Sequence, residues 1–239
     1  HIAAAPATFD WRSPINYLTV SRSDASPKHC SSAWALAVTS VMSDKIKIAT
    51  KGKTIVQISP QVLLNCGAGS CSKGTADDAI TFARKFGLPE DAVKTTSDRN
   101  QQRLPAVKFR TVQCVLALSS ISLAPLQKYK TMDNSDFGKV SGVEAMKTEI
   151  QTFGPIVCGM HVSASFYEYT GVMFSETTIY PTINHYVEIV GWGTEKGQDY
   201  WICRNFWGTS WGESGFFRIA MHRNNLGVET DCSWLGAPS

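Results

Sequence analysis

The sequence predicts an α+β chain of two lobes with a cleft between them. In the N-terminal half, apolar residues recur every three or four positions, which is typical of helices packed on one face. In the C-terminal half, short runs rich in Val, Ile, Phe, Tyr and Trp are separated by Gly-rich turns, which is typical of strands. The 239 residues are enough for two such units around a shared core. Segregated helices and strands define the α+β class, and ligands bind where such units meet.

The first predicted helix begins just after Ser32. Its apolar stripe consists of Trp34, Val38, Met42, Ile46 and Ala49. Ser31 or Ser32 is expected to cap its start through the side chain, and Gly52 lies just past its end. We interpret Ser32 as this cap and not as a substitute nucleophile.

Two more helices are predicted before the chain loses its periodicity. One is short and starts at Ser59-Pro60, with Pro at the first helical position. The other spans about 76–86 and stops at Gly87. Residues 88–113 show little periodicity and are expected to form a loop.

The C-terminal half is predicted to open with a helix and continue as an antiparallel sheet or barrel. Residues 141–144 have the pattern of a capping box, and Gly154-Pro155 ends the helix that follows. The predicted strands are 156–162, 185–190, 199–205 and 215–220.

Charge and hydropathy exclude two classes of function. The excess of Lys+Arg over Asp+Glu is 23 − 20 = 3, and no basic run is dense enough to predict binding to nucleic acid or a membrane surface. No apolar stretch approaches the ~20 residues of a membrane-spanning helix.

Seven cysteines point to an oxidising compartment. No CxxC or Cys/His cluster has zinc spacing, so we expect no metal and no cofactor. A secreted, lysosomal or extracellular disulfide protein is the better interpretation. Three bridges would leave one cysteine over, and spacing alone leaves the pairing open.

Three segments have the composition of a nucleophilic site. They are 30–35 at a helix start, 184–187 at a strand start, and 200–208 in a later strand and the turn after it. A helix N-terminus favours the anion of a nucleophile, a histidine can act as its base, and an asparagine amide can orient that imidazole.

Together these segments resemble the papain-like cysteine peptidases over nearly the whole chain. Residues 9–12, 59–66 and 154–158 also match that family's motifs. Residues 17–30, 70–71 and 229–234 are similar to its cathepsin X (cathepsin Z) branch.

The resemblance implies a single papain-like domain over 1–239. Its helical left lobe would span about 17–115 plus the C-terminal end. Its antiparallel β-barrel right lobe would span about 116–224 plus the N-terminal segment.

Matching the family position by position implies an altered catalytic site. His185 matches the catalytic histidine, Asn205 the residue that orients it, and Trp207 the indole that shields the pair. The nucleophile position holds Ala33, whose methyl group cannot attack a carbonyl. Asp24 stands where the family has the glutamine of the oxyanion hole, and a carboxylate there would repel a developing oxyanion.

Further departures surround these positions. Ala25 matches the histidine that in the cathepsin X branch reads a terminal carboxylate, and Ser31 replaces a glycine. Lys73 replaces one glycine of the substrate-binding pair, although Gly74 is present. Phe206 replaces a serine and could add apolar surface to the cleft. Ala33 alone would also fit an engineered knockout. Its combination with Asp24, Ala25 and Ser31 favours natural loss of activity, because disabling an enzyme needs one substitution and not four.

The resemblance also implies how the cysteines pair. It predicts Cys30–Cys71, Cys66–Cys114 and Cys158–Cys232 and leaves Cys203 over. We interpret Cys203 as a small buried core residue, with a reactive thiol or attachment point as the alternative.

Two interpretations of His185 stay open. It could be a relic of the lost site, or Asp24 could replace the thiolate as its partner, which would raise the imidazole pKa. His185 and Glu188 are not predicted to bind a metal together, because residues at i and i+3 of a strand face opposite sides.

The sequence therefore predicts an inactive pseudo-peptidase that binds a protein, peptide or other ligand in a scaffolding, regulatory or extracellular role. One alternative is a lysosomal or secreted cysteine carboxypeptidase whose nucleophile has been replaced. The other is a carrier of a small molecule or chromophore in the modified cleft.

Overall fold

The computed structural model describes residues 5–24, 30–91 and 137–236. Ala25, Cys114 and most of the loop predicted at 88–113 lie outside the described residues. The described helices are α1 (Ala33–Ala49), α2 (Gln61–Asn65), α3 (Ala76–Phe86), α4 (Val143–Phe153) and α5 (Ala164–Tyr167). The described strands are β1 (Phe9–Asp10), β2 (Phe137–Val140), β3 (Ile156–Met160), β4 (His185–Glu195), β5 (Gln198–Arg204), β6 (Phe216–Ala220) and β7 (Asp231–Leu235).

Helix α1 is the central helix of the fold. Its first fourteen residues, from Ala33 to Ile46, are all buried, so it is covered on every side and not on one stripe alone. Ser32 occupies the N-cap position, but its side chain makes no capping hydrogen bond. The predicted side-chain cap at Ser32 is therefore wrong.

The predicted ends of the other helices are partly confirmed. Pro60 precedes α2 as its N-cap instead of starting the helix. Helix α3 has the predicted bounds, and its N-terminus is closed by a capping box between Thr75 and Asp78. The capping box predicted at 141–144 is wrong, because Gly142, with a φ of +85°, takes the N-cap position of α4.

The strands form one antiparallel sheet in the order β2-β7-β3-β4-β5-β6, with β1 paired to β4. Among the described strands this path is open, since β2 and β6 lie at its two ends. The described strands therefore do not close the predicted β-barrel by hydrogen bonding. The sequence did not predict three short strands, which are β1, β2 and β7.

Two main clusters of buried apolar side chains hold the fold together. One is built on α1 and α3 and includes Val157 and Tyr186 from the sheet. The other lies between the sheet and α4 and includes Cys158 and Val187. Neighbouring strand residues thus pack into different clusters, as the two-residue period of a strand requires. No helix in the described ranges is long and apolar enough to span a membrane.

Candidate functional site

The core of the site is a buried pair formed by His185 and Asn205. His185 is the first residue of β4, and Asn205 directly follows β5, which is the strand paired with β4. The imidazole Nε2 lies 2.8 Å from Oδ1 of Asn205. The same Oδ1 accepts the backbone N–H of Phe206 at 2.7 Å. The strand pairing and this local hydrogen bond together hold the two side chains in place.

Aromatic rings cover the imidazole. The Trp207 ring lies 5.0 Å from the His185 ring, centroid to centroid. Tyr167 stacks on Trp207 at 4.9 Å with its ring plane only 8° away from parallel. Tyr167 is 62% exposed, so it forms the outer layer of this stack. The predicted shielding by Trp207 is thus matched by its position, and Tyr167 is an addition that sequence reasoning missed.

The imidazole is held in its neutral form. Burial lowers the pKa of His185 to about 4, and the hydrogen bond to Asn205 opposes this only in part. No carboxylate of the described residues, Asp24 included, contributes to raising it. The rise in pKa expected from an Asp24–His185 ion pair is therefore wrong.

A run of backbone hydrogen bonds joins the pair to the start of α1. Asp24 N–H donates to the carbonyl of Phe206 at 2.9 Å, and Cys30 N–H donates to the carbonyl of Asp24 at 2.8 Å. Ser32 N–H then donates to the carbonyl of Cys30 at 2.5 Å. Ala33, the next residue, begins α1 and is 4% exposed. The structure therefore links Asp24 and Ala33 to the residue beside Asn205.

A disulfide fastens the loop of Lys73 and Gly74 to the same place. Cys30 is bonded to Cys71, and the indole N–H of Trp34 donates to the carbonyl of Ser70 at 3.3 Å. A methyl group on Gly74 would lie 2.3 Å from the Trp34 ring, so this position needs glycine for packing. Lys73 is exposed at the surface of the loop.

Phe206 and Cys203 are both fully buried, at 0% exposure. Phe206 packs in the same cluster as Ala33, so the prediction that it adds apolar surface to the cleft is wrong. The interpretation of Cys203 as a buried core thiol is confirmed. Burial, followed by the charge of Glu229, raises the thiol pKa well above its usual range.

Two of the three predicted disulfides are confirmed, Cys30–Cys71 and Cys158–Cys232. The third, Cys66–Cys114, includes a residue outside the described ranges and stays a prediction. Within those ranges no three His, Cys, Asp or Glu side chains are grouped as metal ligands.

Sequence reasoning missed a buried charge cluster between α1 and the sheet. Arg204 of β5 forms ion pairs with Asp44 of α1 and Glu188 of β4, and all three side chains are completely buried. The signal was present, since Glu188 interrupts a strand that is otherwise almost wholly apolar. A metal-binding role beside His185 does not account for this glutamate, whereas the contact with Arg204 does.

These features define a class of protein. A helix and an antiparallel sheet that meet at a buried His–Asn pair, tied to the N-terminus of that helix, form the scaffold of a thiol peptidase. The comparisons with known proteins make this specific. The sequence model of the family described as "Papain family cysteine protease" matches residues 5–235, and the chain belongs to that family.

Individual relatives agree with this assignment. The chain is 34% identical to cathepsin Z of Onchocerca volvulus, over 96% of this chain and 77% of that protein. It is 29% identical to a gut-specific cysteine proteinase of Caenorhabditis elegans, over 96% of this chain and 73% of the relative. The structure of digestive procathepsin L2 from Tenebrio molitor matches with a TM-score of 0.76 at 27% identity, covering 97% of this chain and 68% of that one.

Proposed function

We propose that this chain is a pseudo-peptidase of the cathepsin Z-like group, which does not hydrolyse peptide bonds and uses the retained site to bind a peptide, a protein or another ligand. The observation that carries the proposal is the alanine at position 33, where the family resemblance places the nucleophile. A methyl group has no lone pair to attack a carbonyl and no proton to give to His185.

Asp24 supports the same proposal. The backbone of Asp24 is hydrogen-bonded to Phe206, next to Asn205, and to Cys30, which shortly precedes Ala33. Asp24 itself is only 5% exposed. A carboxylate in the position of an oxyanion-hole donor would disfavour the negative charge that develops during acyl transfer. Two disulfides in the described part of the chain support a secreted, lysosomal or extracellular location.

The alternative enzyme is a cysteine carboxypeptidase that lacks only its nucleophile, and the similarity to cathepsin Z favours it as the second candidate. We do not propose the carrier function. It was motivated by Cys203 and the altered cleft, and Cys203 and Phe206 are both fully buried.

Reversion of position 33 separates the two candidates. Turnover of a fluorogenic peptide is measured for the unmodified protein and for A33C, A33C/D24Q and the matched control A33S. We expect the unmodified protein, A33S and A33C to remain at the background rate, because Asp24 opposes the oxyanion even when a thiol is present. Cleavage by A33C alone would favour the carboxypeptidase, and cleavage by the unmodified protein would refute the proposal outright.

A further inference from the structure

The orientation of the Asn205 amide determines which nitrogen of His185 carries the proton. Oδ1 of Asn205 accepts the N–H of Phe206, so the atom that faces the imidazole is the oxygen. Rotating the amide by 180° would place its NH₂ group against the Phe206 N–H, donor against donor. An oxygen that accepts from His185 requires Nε2 to be the protonated nitrogen.

The other ring nitrogen is consequently a hydrogen-bond acceptor. A neutral imidazole with its proton on Nε2 carries a lone pair on Nδ1. No described side chain or backbone group donates to Nδ1 of His185. Burial keeps the ring neutral, with its pKa at about 4, so this state holds both at neutral pH and in a mildly acidic compartment.

Ala33 removes the group that would have satisfied this acceptor in a peptidase with a thiol at the position. A methyl group neither donates nor accepts a hydrogen bond. The stack of Trp207 and Tyr167 covers one side of the ring with aromatic surface, and His185 keeps 7% of its own surface exposed. A ligand that reaches the ring would therefore meet an acceptor beside aromatic faces, not a cation.

We propose that the site at His185 takes a ligand group that donates a hydrogen bond to Nδ1, such as the N–H of a peptide amide, and rejects a free carboxylate. This inference rests on the proposed binding function of the same site. A carboxylate has lone pairs only, so it would face the Nδ1 lone pair without a proton between them, and burying that charge beside a neutral ring is unfavourable. An amide N–H meets the same atom with a proton.

Two measurements on the intact protein test the proposal. The first is the ¹⁵N spectrum of the histidine side chains, in which H185F identifies the signals of His185 by their loss. We expect a proton on Nε2 alone from pH 5 to pH 8. A second proton on the ring within that range, or a proton on Nδ1 instead of Nε2, would overturn the inference.

The second measurement compares two probes that differ only at one end, N-acetyl-phenylalanyl-alanine amide and the corresponding free acid. We expect the amide to bind at least about tenfold more tightly, and the preference to disappear in H185F, since one hydrogen bond to a buried acceptor is worth about that factor. Equal affinity, tighter binding of the acid, or no binding of either probe would overturn the inference. Cleavage of the amide by the unmodified protein would instead refute the proposed function. The protonated nitrogen of His185 and the ratio of the two affinities could still be measured in that case, so the two failures are distinguishable.

Discussion

Replacing Glu188 by Gln should remove a pH-dependent loss of stability. Oε2 of Glu188 accepts from Nε of Arg204 at 2.8 Å, whereas its Oε1 has no hydrogen-bond partner among the described residues. The same guanidinium also holds Asp44, whose other oxygen accepts two hydrogen bonds from Thr19 at 2.6 Å each. Two buried carboxyl groups thus compete for one cation, and Glu188 is the less satisfied of the two. Among the described residues, Lys45 and Arg22 also interact electrostatically with Glu188.

The sign of the effect follows from the direction of the pKa shift. Burial raises the pKa of Glu188 well above its usual range; Arg204 opposes that rise and the charge of Asp44 adds to it. Above about pH 4.3 the native state therefore binds more protons at Glu188 than the unfolded chain does, so stability falls as pH rises, by at most about 1.4 kcal/mol per unit. Between pH 5 and pH 6.5 the loss is therefore at most about 2 kcal/mol.

His185 acts in the opposite direction over the same range. Its pKa is lowered to about 4, so the unfolded chain takes up a proton below about pH 6.5 that the native state does not, and stability rises with pH. The two slopes partly cancel in the unmodified protein. The stability of that protein alone is therefore a poor test, and the difference between it and E188Q is the quantity to measure.

The assay is urea unfolding of the unmodified protein, E188Q and the exposed control E144Q at pH 5.0 and pH 6.5. We expect the free energy of unfolding of E188Q, relative to the unmodified protein, to increase between the two pH values by at most about 2 kcal/mol, while E144Q changes by less than about 0.5 kcal/mol. Parallel curves for E188Q and the unmodified protein would refute the reasoning, since they would mean that Glu188 is ionised in the native state.

Two further predictions concern packing around the site. G74A should lower the free energy of unfolding by about 1–3 kcal/mol, because the new methyl group overlaps the Trp34 indole, whereas K73A next to it should change the stability by less than about 0.5 kcal/mol in the same urea assay. A similar loss in both variants would contradict this. The thiol of Cys203 should resist a thiol-specific reagent in the native protein and react at once in denaturant, because it is buried and its pKa is raised. Rapid labelling under native conditions would show that the strand opens.

Elements with a strong local pattern could be predicted from the sequence, whereas elements made by distant partners could not. Helix α3 has its own apolar face and its own stop at Gly87, so its bounds were correct. Strand β7 has five residues and pairs with β2 and β3, which lie far away in the sequence. Nothing in its local composition marks that pairing. The strand pattern left an open sheet and a barrel as alternatives, and the described strands form an open path.

The candidate site shows the same division. The family motifs placed His185 and Asn205, and the structure brings them within hydrogen-bonding distance. The neutral state of the ring could not be predicted, because it depends on how completely the surrounding residues exclude water. The prediction that Phe206 adds apolar surface to the cleft was wrong for a related reason. Its position in the motif indicates that it lies near the site, but not that its side chain packs into the core.

The His185–Asn205 pair is not by itself evidence for catalysis, because it has a structural role that does not require a nucleophile. Oδ1 of Asn205 satisfies two donors, the Phe206 N–H and Nε2 of His185, and both residues of the pair are buried. Removing that oxygen would leave both donors without a partner, at a cost of about 1–3 kcal/mol each. Stability alone can therefore account for the pair. The alanine at position 33 is the residue on which the proposed loss of hydrolysis depends.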